Sequence, residues 1–175
     1  GAHPHVVPLL DAVLDGDFPW LMYEYVGGGS LIDLIHWCQR LPEAEREALA
    51  AHALGQLAGA VGGFHRLAAG IVHRDLKPAN VLLEVTGRPV EDADPTPLRP
   101  DEVRLRITDF GIGGVAVDYL RTNPAGLSMM TGWLETSLRG SYTPLYASPQ
   151  QARGAKPDPR ADTIDAGAYT HLTLP

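Results

Sequence analysis

Four stretches of this chain carry apolar residues in runs or in alternation that predict β-strands. Residues 6–10 and 21–26 form two largely apolar segments, and the second is expected to be a largely buried strand that ends at three consecutive glycines. Residues 81–85 form a third run, and residues 103–107 alternate strictly between apolar and charged side chains. A period of two is typical of a strand with one buried face.

Two helices are predicted between the second and third strands. Ser30 is a candidate N-cap, and Asp33, three residues later, is its capping-box partner. The first helix carries apolar residues at helical spacing: Leu31, Leu34, Ile35, Cys38 and Leu41. A longer helix follows Pro42, begins with acidic residues and is expected to stop at Gly70. Its apolar stripe consists of Leu49, Ala53, Leu57, Ala60, Val61 and Phe64.

The rest of the chain contains few periodic segments. Residues 86–102 include four prolines and five acidic residues, which predicts an exposed loop between the third and fourth strands. No element is predicted after residue 111, where glycine, serine, threonine and proline are frequent. The expected architecture is two strands, two helices and a strand pair flanking a loop, which is an α+β fold.

Composition and charge narrow the possible functions. The chain has 175 residues, enough for one domain or part of a larger one. Its net charge of −7 argues against sequence-independent binding to nucleic acid or to an acidic membrane. The single cysteine, Cys38, is interpreted as a buried thiol in a reducing compartment. No signal peptide or membrane-spanning run is visible, so a cytoplasmic location is expected, with an anchor outside this segment left open.

Two short polar segments carry the candidate chemistry. The segment 73–80 reads H-R-D-L-K-P-A-N and stands directly before the third strand, whereas Asp109-Phe110-Gly111 follows the fourth strand. Two carboxylates and a carboxamide at adjoining strand ends can hold a hard cation such as Mg²⁺. A lysine two residues from one carboxylate supplies positive charge for a phosphate. Such an electrostatic clamp is what phosphoryl transfer requires.

These segments resemble the protein kinase family, whose signature is H-R-D-L-x-x-x-N followed by D-F-G. Residues 20–31 resemble the fifth strand and the hinge of kinases, with Tyr23 in the gatekeeper position. Residues 143–150 (T-P-L-Y-A-S-P-Q) resemble the end of the activation segment, and Asp162 matches the aspartate that opens the central helix and braces the catalytic loop. The resemblance covers residues 3–162 and is closest in character to bacterial serine/threonine kinases.

The resemblance implies an incomplete protein-kinase-like fold. Residues 1–29 correspond to the last strands of the N-lobe and the hinge, and residues 30–162 to a mainly helical C-lobe that is truncated at its central helix. Residues 163–175 resemble no kinase segment and are interpreted as a foreign tail. The chain also contains only two lysines, Lys77 and Lys156, and none among residues 1–22. The lysine that holds the α- and β-phosphates in kinases is therefore absent from it.

The resemblance assigns roles in catalysis and metal binding. Asp75 is expected to accept or orient the proton of the substrate hydroxyl, and Lys77 to steady the γ-phosphate of ATP. Asn80 and Asp109 are expected to hold Mg²⁺. Thr143 is expected near Asp75, and both it and Lys77 favour Ser/Thr over Tyr substrates.

Further roles follow from the same comparison. His73 is interpreted as a packed, hydrogen-bonded residue, and Arg74 as a charge for a phosphorylated activation segment. The phosphorylation candidates are Thr131, Thr136, Ser137 and Ser141. The backbone groups of Glu24 and Val26 in the hinge would bind adenine, and Ser30 would lie near the ribose. Leu82 would form the floor under the base, and Thr108 would directly precede the metal loop. The residues assigned to the nucleotide are Glu24, Val26, Ser30, Leu82 and Thr108.

Alternatives remain open at this stage. A pseudokinase scaffold would keep the fold without turnover, and a small-molecule phosphotransferase of the aminoglycoside type shares the fold but normally lacks the R-D-L-K-P string found at 74–78. Gln150 replaces the usual glutamate of the activation-segment end. A protein with a Ser/Thr acceptor is the expected partner, and the oligomeric state is not readable. The 175-residue chain alone is expected to be marginally stable and inactive, because much of the core of such a domain is missing.

Overall fold

The computed structural model describes residues 3–13, 20–66, 72–87, 98–109, 146–153 and 162. They fall into two compact units. The first contains the described residues up to 58 and those of 81–108, and the second contains those of 59–80 and 109–162. The elements, in chain order, are β1 (Leu9–Val13), β2 (Trp20–Tyr23), α1 (Leu31–Cys38), α2 (Glu43–His65), a 3-10 turn (Pro78–Asn80), β3 (Val81–Val85), a second 3-10 turn (Pro100–Glu102), β4 (Val103–Ile107) and α3 (Pro149–Ala152).

The predicted α+β architecture is confirmed for these residues. β3 and β4 pair antiparallel, with Val81 opposite Ile107 and Val85 opposite Val103. The odd-numbered residues of both strands are buried or half-buried, and Leu105 and Ile107 are almost completely inaccessible. The alternation along residues 103–107 therefore predicted the buried face of β4 correctly, because side chains on a strand point alternately to opposite faces.

The outer edge of β4 is covered by polar groups from two other segments. Gln56 of α2 donates a hydrogen bond from Nε2 to the carbonyl of Val103 (2.8 Å) and accepts one from the amide of Leu105 (2.9 Å). The backbone of residues 5–7 then continues along the same edge, where the carbonyl of His5 accepts the amide of Ile107. An edge strand needs such partners because its unpaired amides and carbonyls would otherwise be buried or would recruit another chain.

The edge of β3 is covered by the glycine segment that precedes α1. The Gly28 amide donates to the carbonyl of Leu83 (3.0 Å), and the Leu83 amide donates to the carbonyl of Gly29 (2.9 Å). A Cβ atom at Gly28 would collide with the Leu83 carbonyl, and Gly29 has a positive φ of 85°. Gly28 and Gly29 are therefore both paired with a strand, and both positions require glycine.

α1 begins as predicted. The amide and hydroxyl of Ser30 both donate to Oδ2 of Asp33, at 2.7 and 3.0 Å. These bonds, chiefly the one from the Ser30 backbone, hold the pKa of Asp33 below its usual value. Leu31, Leu34 and Cys38 face the core, and burial raises the pKa of the Cys38 thiol, as expected for a structural cysteine.

α2 follows the predicted stripe, although its end differs from the prediction. The six apolar residues of the predicted stripe are all buried. The helix ends at His65, and the predicted stop at Gly70 lies outside the described residues. Within the part of the chain that the structure describes, no helix is long and apolar enough to cross a membrane.

The second predicted strand is shorter and more exposed than expected. β2 ends at Tyr23, and residues 24–27 are not part of a strand. Trp20 and Met22 are exposed, whereas Leu21 and Tyr23 are half-buried. The apolar run alone could not distinguish a buried strand from one with an exposed face, because burial depends on what packs against the sheet.

The contact between Gly28 and β3 gives a first prediction. Gly28→Ala is expected to lower the free energy of unfolding by about 1–3 kcal/mol, because the added methyl group displaces the Leu83 backbone. Gly55→Ala is the matched control, since nothing lies near a Cβ at that exposed position of α2. The control is expected to stabilise the protein by about 0.5–1 kcal/mol through helix propensity. Urea denaturation measures both values, and equal effects would contradict the proposed close approach.

Candidate active site

The loop that precedes β3 gathers three polar side chains in the second unit. Lys77 donates a hydrogen bond from Nζ to Oδ2 of Asp75 at 2.7 Å. The side-chain amide of Asn80 donates to the same oxygen at 3.2 Å and to the backbone carbonyl of Asp75 at 2.9 Å. The side chains of Lys77 and Asp75 are 25% and 18% exposed, so the pair is partly screened from water but still accessible.

Apolar anchors explain why the loop holds this shape. Leu76, between Asp75 and Lys77, is completely buried. Pro78 is buried and opens the 3-10 turn, which is closed by a hydrogen bond from the Asn80 amide to the Lys77 carbonyl (2.9 Å). The turn places Asn80 at the end of the loop, where it can reach back to Asp75, and β3 starts at the next residue.

The hydrogen bonds also fix the orientation of the Asn80 carboxamide. Both atoms that its nitrogen approaches are acceptors, the carbonyl and carboxylate oxygens of Asp75. Nδ2 must therefore face Asp75, and the carboxamide oxygen Oδ1 points away from it. Oδ1 is a hard neutral oxygen of the kind that binds Mg²⁺.

A buried carboxylate braces the start of this loop. Asp162 is 1% exposed and accepts hydrogen bonds from the backbone amides of His73 (2.8 Å) and Arg74 (2.9 Å). His65, in the last turn of α2, donates from Nε2 to the same carboxylate at 2.9 Å. The bracing role that the resemblance gave to Asp162 is thus realised in these contacts.

The backbone of the braced segment is strained. Arg74 has a positive φ of 70°, in the left-handed region that non-glycine residues rarely occupy. Such a conformation costs on the order of 1–3 kcal/mol and persists only where the surroundings hold it. The Asp162 carboxylate provides that hold at the Arg74 amide. His73 is buried and accepts the Asp75 amide at Nδ1, which confirms its interpretation as a packed, hydrogen-bonded residue.

Asp109 lies in the same unit as Asp75 and Asn80, two residues beyond the end of β4. It is exposed and has a positive φ of 52°. Aspartate adopts this conformation more often than most other residues that have a side chain. Phe110 and Gly111 lie outside the described residues.

The residues assigned to the nucleotide base and sugar all belong to the first unit. Ser30 and Leu82 are brought together, because they form an antiparallel bridge beside the Gly28–Leu83 contacts. Glu24 and Val26 lie in the segment between β2 and α1, and the backbone amide of Glu24 donates a hydrogen bond to the carbonyl of Pro8, the residue before β1 (2.9 Å). Thr108 follows β4 and is half-buried. Their roles in nucleotide binding stay predictions.

The donor atoms of this loop suit magnesium. Mg²⁺ binds oxygen, keeps several waters and usually takes only one or two protein carboxylates together with phosphate oxygens. Among the described residues, no group of three or more His, Cys, Asp or Glu side chains could enclose a metal ion. The Asn80 carboxamide oxygen Oδ1 is an oxygen of this kind, and the assignment of Asn80 and Asp109 to Mg²⁺ stays a prediction.

Several predicted residues lie outside the described part of the chain. These are the phosphorylation candidates Thr131, Thr136, Ser137 and Ser141, together with Thr143. Sequence reasoning in turn missed two residues that the structure ties to the predicted sites: His65, which contacts Asp162, and Arg106, which contacts Glu24. Their partners are 97 and 82 residues away in the sequence, and no local pattern signals such pairs.

Comparison with known proteins identifies relatives of the whole segment. The sequence model described as the protein kinase domain matches residues 1–165. The chain is 31% identical over 172 residues to the serine/threonine-protein kinase pkn2 of Myxococcus xanthus, an alignment that covers 98% of the chain and 17% of that protein.

Two further relatives are also serine/threonine-protein kinases. Over 173 residues, the chain is 32% identical to the serine/threonine-protein kinase PknK of Mycobacterium tuberculosis and 31% identical to the serine/threonine-protein kinase ULK1 of Homo sapiens. Both alignments cover 98% of the chain, but only 12% and 14% of those proteins. The chain therefore spans less than a fifth of the length of the three relatives. The interpretation of residues 163–175 as a foreign tail stays a prediction.

The bracing by Asp162 gives a second prediction. Asp162→Ala is expected to lower the free energy of unfolding by about 3–5 kcal/mol, because it leaves buried donors without their charged acceptor. His65→Ala removes only one of the three hydrogen bonds and is expected to cost about 1.5–3 kcal/mol. Chemical denaturation of both variants measures the difference. Equal losses would indicate that the two backbone hydrogen bonds contribute nothing.

Proposed function

The chain belongs to the protein kinase family, and from this premise we propose that the full-length protein containing it is a serine/threonine protein kinase. The proposed reaction transfers the γ-phosphoryl group of ATP to the hydroxyl of a protein serine or threonine. The observation that supports it most directly is the Asp75 carboxylate, held at one oxygen by Lys77 and Asn80 in a partly accessible loop.

Asp75 is suited to receive the proton of the acceptor hydroxyl. An ionised carboxylate has two oxygens with about four acceptor positions, so the bonds from Lys77 and Asn80 at Oδ2 do not exhaust its capacity. These bonds hold the carboxylate in one orientation, and a positioned base contributes typically about 10²–10⁴-fold to the rate of a proton-transfer step.

Lys77 and Asn80 have complementary tasks in this proposal. The ammonium group of Lys77, 2.7 Å from Asp75, balances its charge and supplies positive charge near the transferred phosphate. Asn80 Oδ1 and the Asp109 carboxylate would hold Mg²⁺. When bound, the ion neutralises charge on the phosphate oxygens during transfer.

The nucleotide base would be recognised by residues of the first unit. The proposal keeps the assignment of adenine to the backbone of Glu24 and Val26, of the ribose to Ser30, and of the floor under the base to Leu82. The bridge between Ser30 and Leu82 supports this assignment, because it places the two residues side by side.

Two alternatives make different predictions. A pseudokinase would bind nucleotide without transfer, and the presence of Asp75, Lys77, Asn80 and Asp109 weighs against it. A small-molecule phosphotransferase would transfer phosphate to a small acceptor only.

The isolated 175-residue chain is expected to be inactive, since Lys77 and Lys156 are its only lysines and neither stands ahead of the hinge to hold the α- and β-phosphates.

A third prediction tests the role of Asp75. In the full-length protein, Asp75→Asn is expected to lower kcat about 10²–10⁴-fold with little change in the dissociation constant for MgATP, because the amide cannot accept the proton. Asp101→Asn is the matched control, since Asp101 is an exposed aspartate in the turn before β4 and is expected to leave kcat unchanged. Transfer of radiolabelled phosphate from ATP to casein, together with nucleotide titration, provides both quantities.

The outcomes separate the alternatives. MgATP binding without transfer to any protein or small acceptor would indicate a pseudokinase. Transfer to aminoglycosides but not to proteins would indicate the small-molecule enzyme. An Asp75→Asn variant with undiminished kcat would contradict the assignment of Asp75 as the base.

A further inference from the structure

The exposed face of the β3–β4 hairpin carries a small charge cluster beside a predicted nucleotide contact. Arg104 lies opposite Glu84, and Arg106 lies opposite Leu82. Directly opposed residues share one face of a sheet, so all four side chains stand on the face opposite the buried core residues. Leu82 is the residue assigned to the floor under the base, and Arg106 is therefore its direct cross-strand neighbour.

Arg106 joins two carboxylates that come from different elements. Its Nε donates to Oε2 of Glu84 at 2.8 Å, and its Nη1 lies 3.5 Å from Oε1 of Glu24. The Arg106 side chain is only 15% exposed, whereas that of Glu24 is 47% exposed. The short bond to Glu84 holds the guanidinium in place, and its other end reaches the segment that follows β2.

The Glu84 contact is a firm anchor. Its hydrogen bond with Arg106 is the main reason that the pKa of Glu84 lies below its usual value, with smaller contributions from the charges of Arg106 and Arg104. Glu84 therefore stays ionised at neutral pH, and the planar guanidinium can serve both carboxylates at once.

Arg104 offers an internal comparison. It also contacts Glu84, at 3.5 Å, but its side chain is 46% exposed and no contact between it and Glu24 is present among the described residues. The two arginines thus carry the same charge, lie on the same strand and both contact Glu84. They differ in whether they reach Glu24.

The segment that Arg106 reaches is held at both ends. Gly28 and Gly29 are bonded to Leu83 at one end, and the Glu24 amide is bonded to Pro8 at the other. Between these anchors, residues 24–27 belong to no strand, and Tyr25 is largely exposed. A side-chain contact at Glu24 therefore adds a restraint at the start of a segment whose residues 25–27 belong to no strand.

We propose that Arg106 is a positioning residue for nucleotide binding, which acts by holding Glu24 and with it the backbone that contacts adenine. This inference rests on the proposed function, since it assumes that residues 24–26 bind the base. The physical reason is preorganisation: backbone that is already held in its binding conformation loses less conformational entropy when the ligand binds. Arg106 itself does not touch the nucleotide in this proposal.

The effect should be modest because the Glu24 contact is long and partly exposed. Pairs of this kind change equilibria by a factor of about 1.5 to 5. Arg106→Gln and Glu24→Gln are each expected to raise the KM for ATP and the dissociation constant for MgADP about 2- to 5-fold, with kcat at saturating ATP within about twofold of the unmodified value. Arg104→Gln is the control and is expected to leave all three quantities unchanged.

The experiment uses the full-length protein, phosphate transfer to casein, and calorimetric titration with MgADP for each variant. The Arg106→Gln/Glu24→Gln double variant is expected to bind no more weakly than either single variant, because both remove the same contact. The difference between the unmodified protein and Arg106→Gln should also shrink as salt is raised from about 50 to about 500 mM, since screening weakens the pair.

Three results would overturn the proposal. They are an equal loss of MgADP affinity in Arg104→Gln and Arg106→Gln, additive losses in the double variant, and a fall in kcat at unchanged KM. Each of these results can be obtained only if the unmodified protein binds MgADP. They would therefore not contradict the proposed function. An unmodified protein that binds neither MgATP nor MgADP would instead overturn the proposed function, and this inference with it.

Discussion

The candidate site depends on a buried carboxylate that forms no part of the proposed chemistry. Asp162 accepts the amides of His73 and Arg74 and thereby stabilises a left-handed backbone conformation that Arg74 would otherwise avoid. The chain direction after Arg74 determines where Asp75 projects, and the burial of Leu76 and Pro78 then fixes the turn that brings Asn80 back to it. Without the brace, the left-handed conformation at Arg74 would lose the hydrogen bonds that stabilise it.

In the first unit, other segments cover both edges of the β3–β4 strand pair. Gln56 and the segment 5–7 cover the β4 edge, and the glycine segment before α1 covers the β3 edge. The face between the two covered edges carries the side chains of Leu82, Glu84, Arg104 and Arg106. Leu82, the proposed floor under the base, and Arg106, the proposed positioning residue, both lie on this face. Both roles are proposed because the chain belongs to the protein kinase family.

Much of the local structure could be predicted because it is encoded in short segments. The Ser30–Asp33 cap, the apolar stripe of α2 and the alternation in β4 each depend on residues within a few turns or a single strand. The exposure of β2 and the early end of α2 could not be predicted in the same way. A largely apolar segment such as 21–26 predicts a strand, but where the strand ends and whether it is buried depend on elements that are distant in the sequence. The need for glycine at position 28 could not be predicted either, because the Leu83 carbonyl that excludes a side chain there lies 55 residues further along the chain.

The sequence by itself determined the chemical character of the candidate site: an aspartate, a lysine and an asparagine within six residues, and a second aspartate after the following strand pair. It also determined the elements on which they stand, because helix and strand periodicity is local. Only the tertiary structure decided which groups hold these residues in place. The His65–Asp162 and Arg106–Glu24 contacts join residues 97 and 82 positions apart, and a charged side chain has many possible partners in a sequence but few within reach in a folded chain. Tertiary packing determines which partner each charged side chain meets, since it alone brings distant segments within hydrogen-bond distance.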